Sequence, residues 1–132
     1  MQPSSAIDSA PAASTIGRSF AEALGRKDFD QIRSLLDPQI DFRGLTPRRA
    51  WEASGVDAVI DDVLRVWFED SDELEQVVAI DTDAFADRER VAYRFEGHNP
   101  EGSFVVEQQA NYTEHDGRID WMRVVCSGFR PR

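Results

Sequence analysis

Between Ser103 and Thr113 an acid and two amides recur at every second position: Glu107, Gln109 and Asn111. Residues at i, i+2 and i+4 of a strand share one face. A carboxylate withdrawn from water on such a face has its pKa raised toward the range useful for general acid-base chemistry. Gln109 and Asn111 could then steady negative charge developing on a substrate oxygen. The blander reading pairs Glu107 with an arginine of a neighbouring strand, Arg94 or Arg123, and lets the amides satisfy one another. The opposite face would carry Phe104, Val106, Gln108, Ala110 and Tyr112. That face is the more hydrophobic, and hydrophobicity alone would turn it inward.

Five further positions complete the candidate set. Asp120 lies on the next strand-like stretch and could act as a second carboxylate, or stand exposed beside a turn. Trp51, Trp67 and Tyr93 could line a cavity or pack as core, and at the open end of a core both roles can hold for one residue. Cys126 is the only cysteine of the chain. It could line a pocket, or fill a strand position as a small apolar residue. A lone thiol excludes an intrachain disulfide. His98 and His115 fall in turn-rich segments and read as surface residues. Neither forms a ligand set with nearby acids, so no metal is expected. No Gly-rich phosphate loop precedes a helix.

Composition narrows the function classes. The chain has 132 residues, 41% hydrophobic and 30% charged, with a net charge of −10. One domain is expected. The acidity argues against binding nucleic acid or an anionic membrane, both of which need Lys and Arg. No apolar run approaches the ~18–20 residues that span a bilayer. The start of the sequence lacks the basic-then-apolar pattern of a signal peptide, so a cytoplasmic protein is expected.

The elements that must position these residues can be read in order. Residues 1–13 are rich in Pro, Ser and Ala without periodicity, and read as a disordered leader. A single domain is expected over 14–132. Ser14 is a plausible cap for a helix with Ile16, Phe20 and Leu24 on one stripe, ended by Gly25. Asp28 can cap a second helix that buries Phe29, Ile32, Leu35 and Leu36 and stops before Pro38. Ile40–Arg43 reads as a short strand. Thr46-Pro47 reads as a helix start carrying Trp51. After Gly55 a longer helix places Val56, Val59, Ile60, Val63 and Trp67 on one face. From Leu74 onward the period changes from 3.6 to 2. Strands are expected at 74–80, 91–96, 103–113 and 119–126, with a tight turn at His115-Asp116-Gly117. Phe129 is a possible last anchor. The order is α-α-β-α-β-β-β-β: an α+β domain whose curved antiparallel sheet buries one face on N-terminal helices.

Three stretches carry a family resemblance: Gly25-Arg26-Lys27-Asp28-Phe29-Asp30 at the helical joint, Leu35-Leu36-Asp37-Pro38-Gln39-Ile40-Asp41-Phe42 entering the first strand, and Asp116-Gly117-Arg118-Ile119-Asp120-Trp121-Met122-Arg123-Val124 in the last hairpin. Residues 14–128 resemble the nuclear transport factor 2-like superfamily, which includes SnoaL-like cyclases and ketosteroid isomerases. The resemblance implies a cone with a pocket between bent sheet and helices, and dimerisation through the outer sheet face. It aligns Phe20, Gly44 and Gln109 with the three functional positions of the ketosteroid isomerases. Phe20 has no hydroxyl and Gly44 no side chain, so that mechanism is not available here. Gln109 keeps an N–H donor. The alignment also turns Val105, Glu107, Gln109 and Asn111 into the cone, together with Asp120, Met122, Val124 and Cys126. Trp121, Arg123 and Val125 then face a partner copy. The function implied is a cofactor-free pocket protein for an apolar or aromatic small molecule. It could be an isomerase, cyclase or dehydratase with Glu107 or Asp120 as base and Gln109, Asn111, Trp51, Trp67, Tyr93 and Cys126 as binding residues. The alternative is a non-catalytic ligand-binding or dimeric interaction module of the same fold.

Overall fold

The computed structural model describes residues 15–132, so the leader and the Ser14 cap lie outside the described residues. Helix α1 spans Ile16–Gly25 and buries Ile16, Phe20 and Leu24 on one stripe. Helix α2 spans Phe29–Leu35 and is capped by the Asp28 carboxylate, which accepts from Gln31 N at 3.0 Å. It ends before Pro38, since the residues leading into a proline are driven out of helical geometry. Strands β1 (Leu36–Thr46) and β2 (Arg49–Ser54) follow as a hairpin.

Helix α3 covers residues 56–67. A first turn at Val56–Ala58 leads into a π-helical stretch, Val59–Leu64, and a closing turn at Arg65–Trp67. The widened turns bury Val59, Ile60, Val63 and Leu64 and set Trp67 over β1. Four long strands complete the chain: β3 (Glu73–Phe85), β4 (Arg88–Asn99), β5 (Gly102–His115) and β6 (Arg118–Cys126). A two-residue strand, β7 (Arg130–Pro131), pairs back onto β5. Among the described residues no helix is long and apolar enough to cross a membrane.

The strand order is β2-β1-β6-β5-β4-β3, and β1 runs parallel to β6. The sheet is therefore mixed rather than wholly antiparallel. That pairing joins residues some 80 positions apart in sequence, and no local signal encodes it. The hairpin turn after β5 has Asp116 at φ 52° and Gly117 at φ 78°, the type I′ geometry that suits the twist of paired strands.

Thr46-Pro47 does not start a helix. It opens a tight hairpin turn with Pro47 followed by Arg48 at φ 72°, so Trp51 lies on strand β2. Proline suits the second position of such a turn as well as a helix start. The deciding factor is alternation: Trp51 and Ala53 lie in register with the inner-face residues Gly44 and Phe42 of β1. Gly44 is required there, because a Cβ would sit 2.6 Å from Cη2 of Trp67.

The inner face of β5 is Phe104, Val106, Gln108, Ala110 and Tyr112, each 4% exposed or less. This corrects the alignment-based expectation that Glu107, Gln109 and Asn111 point into the cone. Burying Phe104, Val106 and Tyr112 is worth about 1.5–3 kcal/mol for each side chain. A one-residue slip would forfeit this and push Glu107 into an apolar interior.

Gly44→Val should lower the unfolding free energy by about 1–3 kcal/mol through overpacking against Trp67. Urea denaturation followed by tryptophan fluorescence measures this, and an unchanged midpoint would contradict the packing described.

Candidate functional site

Three strands bring one polar residue each to a single register row on the inner face. Tyr93 of β4 pairs with Gln108 of β5, which pairs with Cys126 of β6. All three are buried, Gln108 to 4% exposure. Tyr93 Oη donates to Gln108 Oε1 at 2.6 Å. Burial pushes the Tyr93 phenol well above its ordinary range, with neighbouring Cys126 adding to the shift, so the hydroxyl stays protonated and remains a donor. The Gln108 amide nitrogen is buried and has no hydrogen-bond partner among the described residues. Such orphaned donors are rare in folded interiors and call for an explanation.

Aromatic rings flank this row. The Phe20 ring from α1 stands edge-on to Tyr93 at 6.4 Å, and Phe95 lies 5.1 Å from it. Nearer β1, Trp67 packs against Phe42 at 5.9 Å and Trp51 at 5.8 Å. Trp51 Nε1 donates to Thr46 Oγ1 at 2.9 Å, whereas Trp67 Nε1 is buried without a partner among the described residues. Phe129 covers the neighbouring edge of the interior, 4.5 Å from Phe104 and 5.8 Å from Phe68. It is positioned by Gly128, whose φ of 77° turns the chain after Cys126.

The two carboxylates expected to share this interior are elsewhere. Glu107 lies on the outer face with its side chain 46% exposed, ion-paired to Arg130 and 3.9 Å from Arg94. Gln109 is exposed and accepts from Arg90 at 3.2 Å. Asn111 is half-buried between Arg90 and Arg123 in the strand register. Asp120 is the extra residue of a β-bulge: Thr113 pairs with Trp121 and Glu114 with Ile119. The bulge keeps both Ile119 and Met122 inside, and turns Asp120 away from the interior to accept from Thr113 Oγ1 at 2.5 Å. The sheet thus divides the expected set. Tyr93, Cys126, Trp67 and Trp51 stay inside; Glu107, Gln109, Asn111 and Asp120 do not.

Apart from aromatic residues and Cys126, the buried polar or charged side chains among the described residues are Asp72 and Gln108. Asp72 is occupied structurally, accepting from Glu69 N and from Asn99 Nδ2, both at 3.0 Å. The family alignment places Gln108 on the outer face of the strand, whereas the structure buries it. The signal that finds it is a single amide interrupting the apolar alternation of Phe104, Val106, Ala110 and Tyr112.

The outer face has its own relief. A shallow groove of about 440 Å³ is bordered by Asp81, Ala92, Arg94, Glu107, Gln109 and Val125. Arg90 grips Asp83 through two hydrogen bonds, of 3.0 and 2.7 Å, and holds that carboxyl below its usual range. His98 and Arg132 hydrogen-bond Glu75 and lower it likewise. No group of three or more potential metal ligands occurs among the described residues.

The chain aligns with a provisionally named isomerase from Bacillus subtilis at 20% identity and a TM-score of 0.71, covering 87% of this chain and 86% of that one. A provisionally named isomerase from Rhodopseudomonas palustris gives 17% identity and 0.70, over 89% and 93%. An NTF2-like protein from Burkholderia thailandensis gives 19% and 0.61, over 86% and 88%.

The chain has the SnoaL/NTF2-like fold. No family model and no curated protein matches the sequence. At these identities the likeness concerns the SnoaL/NTF2-like architecture alone. The two inner positions that the ketosteroid isomerase alignment had marked are a buried phenylalanine, Phe20, and a glycine filled by Trp67. The third inner residue is Gln108, one place before the Gln109 expected there.

Tyr93→Phe leaves Gln108 Oε1 without its donor, and Gln108→Leu leaves the phenol without its acceptor. Each should cost about 1–3 kcal/mol, and the double variant should be markedly less destabilised than the sum, because removing both polar partners leaves nothing unpaired. A double-mutant cycle by urea denaturation tests the pair; simple additivity would show the two groups uncoupled.

Proposed function

We propose that this protein binds a small, largely apolar molecule at the inner row of the cone, without carboxylate acid-base chemistry, and does so as a homodimer. The observation that carries the binding reading is the Gln108 amide nitrogen, buried beside Tyr93 with no partner among the described residues. Leaving such a group unpaired costs roughly 1–3 kcal/mol, and a ligand offering an acceptor recovers it. An apolar wall with a few placed polar groups is the ordinary make-up of a small-molecule site. The isomerase, cyclase or dehydratase reading needs a base inside the cone. Glu107 and Asp120, its candidates, are engaged outside by Arg130 and Thr113.

The dimer reading rests on the outer face. In register across the strands run Ala50, Leu45, Val125, Gln109 and Ala92. Leu45 and Val125 are 54% and 55% exposed. The adjacent row reads Glu52, Arg43, Arg123, Asn111, Arg90 and Asp83. Acids stand at both edges of this row and arginines toward the middle. Trp121, stacked between Arg88 at 4.2 Å and Arg123 at 4.4 Å, supplies the Trp and Arg types that anchor interfaces.

Thermal melts against a panel of mono- and bicyclic aromatic compounds test the binding reading. A ligand at a hundred times its Kd should stabilise the protein by about 2.7 kcal/mol. Stabilisation should survive Glu107→Gln and fall sharply in Gln108→Leu; the reverse order would return the site to the outer carboxylate.

Sedimentation velocity tests the assembly. The wild type should sediment as a dimer at micromolar concentration, and Leu45→Glu with Val125→Glu as a monomer of unchanged circular dichroism. A monomeric wild type would end the dimer reading.

A further inference from the structure

Strand β6 leaves β5 early. The two pair only as far as Gln108 with Cys126, whereas β5 begins at Gly102. The edge left bare is taken by the segment that follows β6. Ser127 N donates to Glu107 O at 2.8 Å, and Ser127 Oγ accepts from Glu107 N at 2.9 Å. Arg130 then pairs with Val105 and Pro131 with Phe104, and Arg132 N donates to Ser103 O at 3.1 Å. The bend between these two anchorages is Gly128, where a Cβ would lie 2.8 Å from Cγ of Pro47 in the β1–β2 turn.

Beyond the bend the side chains alternate. Phe129 turns inward onto Phe104 and Phe68. Arg130 and Arg132 turn outward onto carboxylates of three strands. Arg130 meets Glu107 of β5, and Arg132 bridges Glu96 of β4 at 3.0 Å and Glu75 of β3 at 3.2 Å. Those acids are shared with β4: His98 lies 2.7 Å from Glu75, and Arg94 lies 3.9 Å from Glu107.

Each hold is weak alone. The Arg130 and Arg132 side chains are 49% and 33% exposed, and ion pairs at such exposure are screened by salt. Phe129 is itself 36% exposed, yet the rings beneath it, Phe68 and Phe104, are 2% and 3% exposed. A segment with few buried contacts and solvent-facing hydrogen bonds opens at lower free energy than the sheet that carries it.

We propose that residues 128–132 form an electrostatic strap that swings off β5 about Gly128 without unfolding the sheet. The pairs of Arg130 and Arg132 with Glu75, Glu96 and Glu107 hold it shut. Closed, it fills the free edge of β5 and hides Phe68 and Phe104. Open, it offers that edge and those two rings together to an extended segment of another chain. The strap is thus an autoinhibitory contact. The segment that replaces it carries an aromatic residue followed by cations one and three places on, as Phe129, Arg130 and Arg132 do.

Amide hydrogen exchange of the full chain, read by NMR, tests the opening. Raising salt from about 0.05 M to about 1 M should speed exchange at Arg132 N about tenfold. The joint variant Glu75→Gln with Glu96→Gln should do the same at low salt. Ser127 N, on the near side of the bend, and Gly55 N, which donates to Ile40 O far from the strap, should keep their rates. Exchange at Arg132 that ignores both salt and the acids means ordinary fraying and overturns the latch. Equal acceleration at Ser127 and Gly55 overturns the independent hinge.

The peptide Ser-Gly-Phe-Arg-Pro-Arg, followed at the Ser103 and Val105 amides, tests the docking. A tethered segment competes at an effective concentration on the order of millimolar. Binding to Phe129→Ala should therefore be at least about tenfold tighter than to the wild type, and Ser-Gly-Ala-Glu-Pro-Glu should bind neither. Absence of any shift in Phe129→Ala, or equal binding of the two peptides, overturns the docking site even where the strap opens.

Discussion

A strand offers only two faces, and β5 lies between β6 and β4 in a six-strand path, so its choice of face propagates to both. Phe104, Val106, Ala110 and Tyr112 take the inner side. The register then fixes Phe95, Tyr93 and Val91 on β4, and Cys126, Val124 and Met122 on β6. The helices have no alternative surface on which to bury Phe20, Leu24, Ile32 and Ile60. This parity also fixes the chemistry, because it sends one amide inward and the neighbouring carboxylate outward.

The consequence is an inner row that carries an amide, a phenol and a thiol in place of a carboxylate. Acid-base catalysis at a carboxylate requires that carboxylate to face the substrate and to be held out of water. Glu107 is neither enclosed nor free; arginines on two sides give it the role of a surface tie between β4, β5 and the segment after β6. What the inner row keeps is hydrogen-bonding capacity without charge, in Tyr93 and Gln108. The inner row of Tyr93, Gln108 and Cys126 holds no carboxylate.

Much of the fold was legible in the sequence. The stripe of Ile16, Phe20 and Leu24, the Asp28 cap, the break before Pro38 and the Asp116-Gly117 turn are local signals, and each appears where its local physics puts it. Thr46-Pro47 was misread because proline serves a turn and a helix start equally well. Only the pairing of Trp51 with Gly44 settles which. The bulge at Asp120 was illegible, since simple alternation counts every residue and a bulge omits one. The site is half legible: residue type points to Tyr93, Trp51, Trp67 and Cys126, whereas the family alignment turns Gln109 inward in place of Gln108.

The sequence by itself determined helices α1, α2 and α3, the number of long strands and the two faces of β5, because these follow from period and capping within a few residues. It also held the information for choosing the inner face, in the plain hydrophobicity of alternate residues. Tertiary structure decided which strands lie side by side, including the parallel contact of β1 with β6. It alone could set Tyr93 opposite Gln108 and leave one amide N–H buried and unmatched. The reason is physical: a hydrogen-bond partner across a sheet is chosen by register between distant segments, and register is a property of the assembled core.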